Sequence, residues 1–323
     1  DAVPFMLEDL SAAHSGWEPH RYLAQLQTFA SWRRSESILL AEANIPMDEA
    51  EDYFGTGDRL HVIFNFPLNQ KLFLAFARGD AEPVRSFLRT LPEIPNTAQW
   101  ATFLRNHDEI DLGRLEDEER EEVFAAFGPE KDMQLYDRGI RRRLAPMLQN
   151  DRRRLELAYS LMFALPGTPV IRYGDEIGMG DDLSLPERNC ARTPMQWSDE
   201  PQGGFTKGDK PVLPVISGGH FGFEHLNVAQ QRRDANSLLN WTERLIRMRK
   251  EAPEIGWGTC TPVQTDNKSV LVLRYDWRNN SVLVIHNLSP IPVEAAFDVG
   301  LEEKGHLLID IANHANSKAD SGG

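Results

Sequence analysis

The chain is poor in cysteine, carries no excess of positive charge and contains no long apolar run. Its only cysteines, Cys190 and Cys260, lie far apart and in no metal-ligand spacing. A disulfide is allowed but nothing requires one, and the low count points to a reducing, cytoplasmic setting. Acidic residues outnumber basic ones, 49 to 35, for a formal charge of −14. Such a surface repels phosphate backbones, and with no broad basic stripe it excludes nucleic acid as a partner. The local runs Arg141, Arg142, Arg143 and Arg152, Arg153, Arg154 stand in helical context beside acids and read as solvated helix faces. No stretch approaches the roughly 18 to 20 apolar residues of a membrane span, so no membrane partner is expected. No internal repeat and no signal peptide are visible, and the chain opens on Asp1 instead of Met.

What is present is a chain of 323 residues, 41% hydrophobic, enough for a large core and more than one domain. Short apolar runs, SILLAEAN (37–44), HVIFNF (61–66), ATFLRN (101–106) and TPVIRYG (168–174), alternate with helical patterns. The helices read at 20–34 (Leu23, Leu26, Phe29 and Trp32 spaced by three), 80–91 and 150–167, the last with Asn150 or Asp151 as N-cap and a Pro-Gly stop. Strands apolar on both sides and separated by helices predict a parallel α/β sheet or barrel. From 175 to 233 periodicity is lost, and Trp197, Phe205, Phe221 and Phe223 predict a packed loop. A helix at 234–250 follows. Then SVLVLRYDW and SVLVIHNL flank Arg278, Asn279 and Asn280 as a β-hairpin within a small all-β module, expected to be a sandwich.

Strand after strand ends in an acid. Glu42 follows SILLA, Asp108 follows ATFLRNH, Asp175 and Glu176 follow TPVIRYG, and Asp1 opens DAVPFM. In a parallel barrel the carboxyl ends of the strands converge on one face, and a carboxylate there must be hydrogen-bonded, paired or solvated in a cleft. The spacing predicts that Asp1, Glu42 and Asp108 meet in one pocket. Two carboxylates about 5 to 5.5 Å apart suffice for retaining glycoside chemistry, one as nucleophile and one as acid/base. A third anion with a neighbouring His can stabilise an oxocarbenium-like transition state. Periodicity alone does not choose among sugar chemistry, a metal site and a structural acid cluster.

DAVPFM, ILLAEAN and FLRNHDE, in this order and spacing, resemble the second, third and fourth signature regions of the α-amylase superfamily, at the ends of barrel strands four, five and seven. The likeness continues through LPGTPVIRYGDEIGMGDD, ARTPMQWS and the β-rich tail, and so covers nearly the whole chain. FLRNHDE, GIRRRLAPML, RTPMQWS and SLLNWTERLIRMRK further resemble the trehalose synthase (maltose α-D-glucosyltransferase) branch. The resemblance implies the C-terminal half of a (β/α)8 TIM barrel, from the end of strand four to strand eight. A partial catalytic barrel is expected over 1–255 with its long loop at 175–233, a C-terminal β-sandwich over 256–315 and a disordered tail over 316–323.

By the same resemblance Asp1 takes the nucleophile's place, Glu42 the general acid/base's and Asp108 that of the transition-state-stabilising acid. His107 becomes a hydroxyl ligand of the reacting sugar, and Arg192 reaches its non-reducing end, with a loop salt bridge as the alternative. Trp197 and Phe205 are expected to pack the loop more than to stack on sugar. The implied reaction interconverts maltose and trehalose through a covalent glucosyl-enzyme. The alternatives are an α-glucosidase or α-amylase-type hydrolase and a non-catalytic carbohydrate-binding remnant. The partner expected is a small α-glucoside such as maltose.

The family's first signature region, its lid domain, and the arginine two positions before the nucleophile are missing from these residues. The chain is therefore expected to be the back portion of a longer protein, needing the N-terminal barrel half and inactive alone. No cofactor is expected. Relatives often hold Ca2+ with the lid, and GDEIGMGDD lacks the alternating-oxygen spacing of a loop site, so calcium is left to the full-length protein.

Overall fold

The computed structural model describes residues 3–13, 18–300, 307–310 and 315–318. Four short strands, Leu40–Ala41, Val62–Phe64, Gln99–Phe103 and Thr168–Val170, form a parallel sheet whose spatial order follows the chain. Ile63 pairs with both Ala41 and Trp100, and Ala101 with both Phe64 and Thr168. Parallel neighbours need long crossovers, and helices Ala50–Phe54, Phe66–Arg78, Glu82–Arg89 and Arg152–Ala164 lie within them. Ile63, Trp100, Ala101 and Phe103 are buried, so the central strands carry side chains into apolar surroundings on both faces. The four strand positions agree with the apolar runs of the sequence, each shorter than its run.

Helix Arg152–Ala164 is capped by Asp151, whose side chain accepts from the backbone N–H of Arg153 and Arg154, and it buries the expected Leu155, Ala158, Leu161 and Met162. Helix Phe66–Arg78 was not expected; its start was read as the end of a strand. Asn65 caps it, accepting from the N–H of Leu68 at 3.0 Å, and Gly79 ends it in the left-handed region at φ 61°. Val3–Ala13 is likewise a helix that the sequence reading left unassigned. Arg21–Arg33 is helical as expected, but of its apolar row only Leu23 is buried; Trp32 is 79% exposed.

Two further expectations need correcting. Arg141, Arg142 and Arg143 are not on a helix and do not form a solvated face. Arg141 and Arg143 are buried, and Arg142 pairs with Asp181 at 3.1 Å. Segment 175–233 is ordered by short turns and ends in a helix, Val228–Arg233, where no regular element was expected. It packs, but through Ile177, Met179, Met195 and Val228 more than through its aromatics. Trp197 and Phe205 are each 48% exposed.

At the C-terminal side, Thr259–Val263, Val270–Trp277 and Asn280–Asn287 form an antiparallel sheet with Val270–Trp277 in the middle. The hairpin is where the sequence puts it: Trp277 pairs with Asn280 across a two-residue turn, with Arg278 at φ 55°. Leu271, Leu273 and Tyr275 join the same hydrophobic core as Leu155, Leu161 and Leu72. Leu307–Asp310 and Ala315–Lys318 pair as an antiparallel ribbon.

Candidate active site

Both strands that carry the candidate acids are anchored just before the chemistry begins. At Leu40–Ala41 the chain buries Ala41, Ala43 and Ile45 and leaves Glu42, between the first two, at the sheet's end. Asn44 donates to Asp111 at 3.0 Å and accepts from Arg114 Nε at 2.7 Å, tying this strand end to the segment beyond Asp108. After Gln99–Phe103, Asn69 donates to the carbonyls of Phe103 and Leu104 at 2.7 and 3.1 Å. The following turn is closed by the Asn106 side chain accepting from the Asp108 N–H. Arg105 Nη2 donates to the Asp108 carbonyl at 2.7 Å, and Arg172 Nη1 to the Asn106 carbonyl at 2.8 Å.

Glu42, His107 and Asp108 come together. His107 Nδ1 is 3.7 Å from Glu42 Oε1 and its Nε2 is 3.5 Å from Asp108 Oδ1; the ring itself is 53% exposed. Arg192 joins them, donating from Nε to the His107 carbonyl at 2.8 Å and from Nη2 to Asp108 Oδ1. Four of the five residues singled out in the sequence are thus one cluster. The fifth, Asp1, lies outside the described residues.

The cluster has two features that the sequence did not predict. Arg188 pairs with Asp108 Oδ2 at 3.1 Å and with both carboxylate oxygens of Glu109 at 2.7 and 3.2 Å. Below the turn lies a buried group of Arg105, Arg143 and Arg172 around Asp175, with Arg143 Nη1 3.2 Å from its carboxylate. Burial pushes the Arg105 guanidinium down to about 9, with Arg172 as the next cause, and burial raises the Asp175 carboxyl above its ordinary value. Arg188 stands four residues before Arg192, but no spacing in the sequence singled it out, and none marked Arg141 and Arg143 for burial.

The ligand atoms of Glu42, His107 and Asp108 all lie within 4.8 Å of one another, a spacing that suits a cation. Arg188 and Arg192 occupy both oxygens of Asp108 and put positive charge there, so this donor set does not fit a metal well. Three of the four acids of GDEIGMGDD are engaged within the protein, while Glu176 keeps one buried carboxylate oxygen without a partner. Asp175 and Asp181 are paired with arginines, and Asp182 accepts from Ser184. A separate open cavity of about 580 Å³ lies beside the Thr168–Val170 strand end, lined among others by Ile171, Arg172, Tyr173, Glu176 and Trp197.

Residues 138–258 match the protein family described as alpha amylase, catalytic domain. The chain is 42% identical over 268 residues to a trehalose synthase of Thermus thermophilus, covering 82% of this chain and 28% of that protein. It is 38% identical over 312 residues to a trehalose synthase/amylase of Mycolicibacterium smegmatis, covering 91% of this chain and 52% of that protein. Among solved structures, the α-amylase from H. orenii superposes with a TM-score of 0.61 at 20% identity, covering 84% of this chain and 47% of that one. An inactive double mutant of MutB in complex with isomaltulose gives 0.59 at 20% identity, covering 88% and 53%. The chain spans about half the length of these relatives, and less of the Thermus protein. The chain carries an α-amylase family domain.

Proposed function

We propose that the gene product containing residues 1–323 is a retaining α-glucoside transglycosidase that interconverts maltose and trehalose. The observation that carries this reading is the convergence of Glu42, His107, Asp108 and Arg192 at the carboxyl ends of parallel strands. In this reading the four parallel strands are the fifth to eighth staves of a (β/α)8 barrel, and the β-rich C-terminal region is a sandwich. Glu42 protonates the departing glycosidic oxygen while Asp1 attacks the anomeric carbon, giving a glucosyl-enzyme. The released glucose turns within the pocket and presents its anomeric hydroxyl, which Glu42 deprotonates as it attacks; the α-1,1 bond forms and Asp1 leaves. Asp108 holds ring hydroxyls and stabilises positive charge developing on the ring. His107 binds a hydroxyl of the same ring, and Arg192 faces its non-reducing end.

The experiment is product analysis on maltose with the whole gene product, together with trapping by a fluorinated glucosyl fluoride. Trehalose with little glucose, and a covalent adduct mapped to Asp1, support the proposal. An inverted product or no adduct ends it. A hydrolytic α-glucosidase reading is favoured by the exposure of His107, which leaves the cluster open to water; it predicts mostly glucose. Among the described residues the outer edges of Leu40–Ala41 and Thr168–Val170 carry no partner strand. Residues 1–323 expressed alone are accordingly expected not to turn maltose over, and clear activity would refute that.

A further inference from the structure

We infer that Arg188 is a positioning residue that fixes the carboxylate of Asp108 by tying it to Glu109. Its guanidinium does three things at once. Nε and Nη2 take the two oxygens of Glu109, and Nη1 takes Oδ2 of Asp108. Arg192 takes the other oxygen, Oδ1. Each side of the Asp108 carboxylate is therefore held by a different arginine, and its plane is set by the pair.

The anchor is Glu109, which is buried and cannot swing. A Cβ on Gly139 would stand 2.5 Å from Glu109 Cγ, so only glycine leaves room for the chain to pass there. A bidentate arginine on a buried carboxylate has one plane, and that plane aims the remaining nitrogen at Asp108. The hydrogen bond to Glu109 holds the Arg188 guanidinium above its ordinary value. Without Arg188, two adjacent acids would face each other with one cation fewer.

The backbone that presents both arginines is itself overdetermined. Arg141 is buried and donates to the carbonyls of Asp132, Leu183, Leu185 and Glu187 at 2.6 to 2.9 Å. The Cys190 thiol donates back to the Arg141 carbonyl at 2.8 Å. Glu187, directly before Arg188, sits at φ 47°, a left-handed conformation that a residue with a side chain adopts at a cost. A strained residue pinned by a buried guanidinium, next to an arginine that bridges two acids, fits a loop built to aim that arginine. What is aimed is Asp108, whose hydrogen bonds to a sugar ring depend on sub-ångström placement. The catalytic consequence rests on the function proposed above; the clamp itself does not.

The test compares Arg188→Ala and Arg188→Lys in the whole gene product, with thermal unfolding used to confirm that each folds. The expected result for Arg188→Ala on maltose is a roughly 10- to 100-fold lower kcat with KM changed by less than about threefold. Arg188→Lys restores part of kcat, since an ammonium can hold one acid but not bridge both. A purely structural role would lower the yield of folded enzyme and leave the kcat of the folded fraction unchanged, with no partial rescue by lysine. Crystal structures of both variants supply an arm independent of turnover, in which the Asp108 carboxylate rotates away from its place beside Arg192. If wild-type protein does not process α-glucosides, the function proposed above fails while that arm still decides the clamp. A carboxylate that stays in place, or a kcat within twofold of wild type, overturns the inference.

Discussion

Glu42 and Asp108 leave strands that are not neighbours, because Val62–Phe64 runs between them. Strands two apart are separated by roughly 10 Å, so the two acids approach only by leaning inward. His107 spans the gap, within 3.7 Å of one and 3.5 Å of the other. Glu42 is expected to carry the proton transfers: Glu42→Gln keeps shape and loses the ionisable group, lowering kcat on maltose by roughly 100- to 10,000-fold. The loss should be smaller on a substrate whose leaving group needs no protonation, such as a glucosyl fluoride, and equal losses on both would remove the acid role from Glu42. The repetition of acids at strand ends drew attention to Glu42 and Asp108, but their roles and the choice of His107 came from the resemblance of ILLAEAN and FLRNHDE to the α-amylase signature regions. Arg192 was read as a choice between a sugar ligand and a loop salt bridge, and it does bridge to an acid, but to a candidate catalytic one. Arg188 stayed invisible because its role depends on which acids the turn meets, and spacing along the chain does not encode that.

Elements were legible where burial is one-sided. Arg152–Ala164 has an apolar stripe, a polar back and an Asp at its start, and it folds where that pattern puts it. Phe66–Arg78 was missed because Leu68, Asn69, Gln70, Leu72, Phe73, Leu74 and Ala75 are all buried, and only Lys71 and Arg78, paired with Glu119 and Glu122, mark an outer face, too few to set its period. Its cap is buried too, and the two caps should therefore differ in worth. Asn65 is 1% exposed, so Asn65→Ala strands the Leu68 N–H away from water and is expected to cost about 1–2 kcal/mol. The Asp151 side chain is 36% exposed and water can replace it, so Asp151→Ala should cost about 1 kcal/mol or less. Denaturant midpoints at unchanged m-value measure both; equal costs would mean that burial of the cap is not what matters.

For the whole molecule, the C-terminal sheet is not independent of the helices that cross over the parallel sheet, since Leu271, Leu273 and Tyr275 share one core with helices Phe66–Arg78, Glu82–Arg89 and Arg152–Ala164, while Ala41, Ile63 and Trp100 of the parallel strands lie in another. Arg85 in helix Glu82–Arg89 reaches the Val270 carbonyl at 2.6 Å, and Tyr275 Oη reaches the Ala164 carbonyl at 2.5 Å. His286, buried on strand Asn280–Asn287, makes a third such contact, with Nε2 2.9 Å from Ser160 Oγ and Nδ1 unpartnered. Burial pushes this imidazole from 6.5 down to about 4. The folded state therefore holds it neutral while the unfolded chain takes up a proton near its ordinary value. Its contribution is fully present above about pH 6.5 and is lost as pH falls towards about 4, by on the order of 3 kcal/mol once the folded form must protonate. His286→Gln can keep a bond to Ser160 without titrating, so its melting temperature should fall less than that of wild type between pH 7 and 4.5. Because that core is shared, the C-terminal sheet and helix Arg152–Ala164 should melt in one transition at each pH. Parallel pH curves for the two proteins would show that His286 is not the group that acid acts on, and two separate transitions would show that the shared core does not couple the C-terminal sheet to the helix.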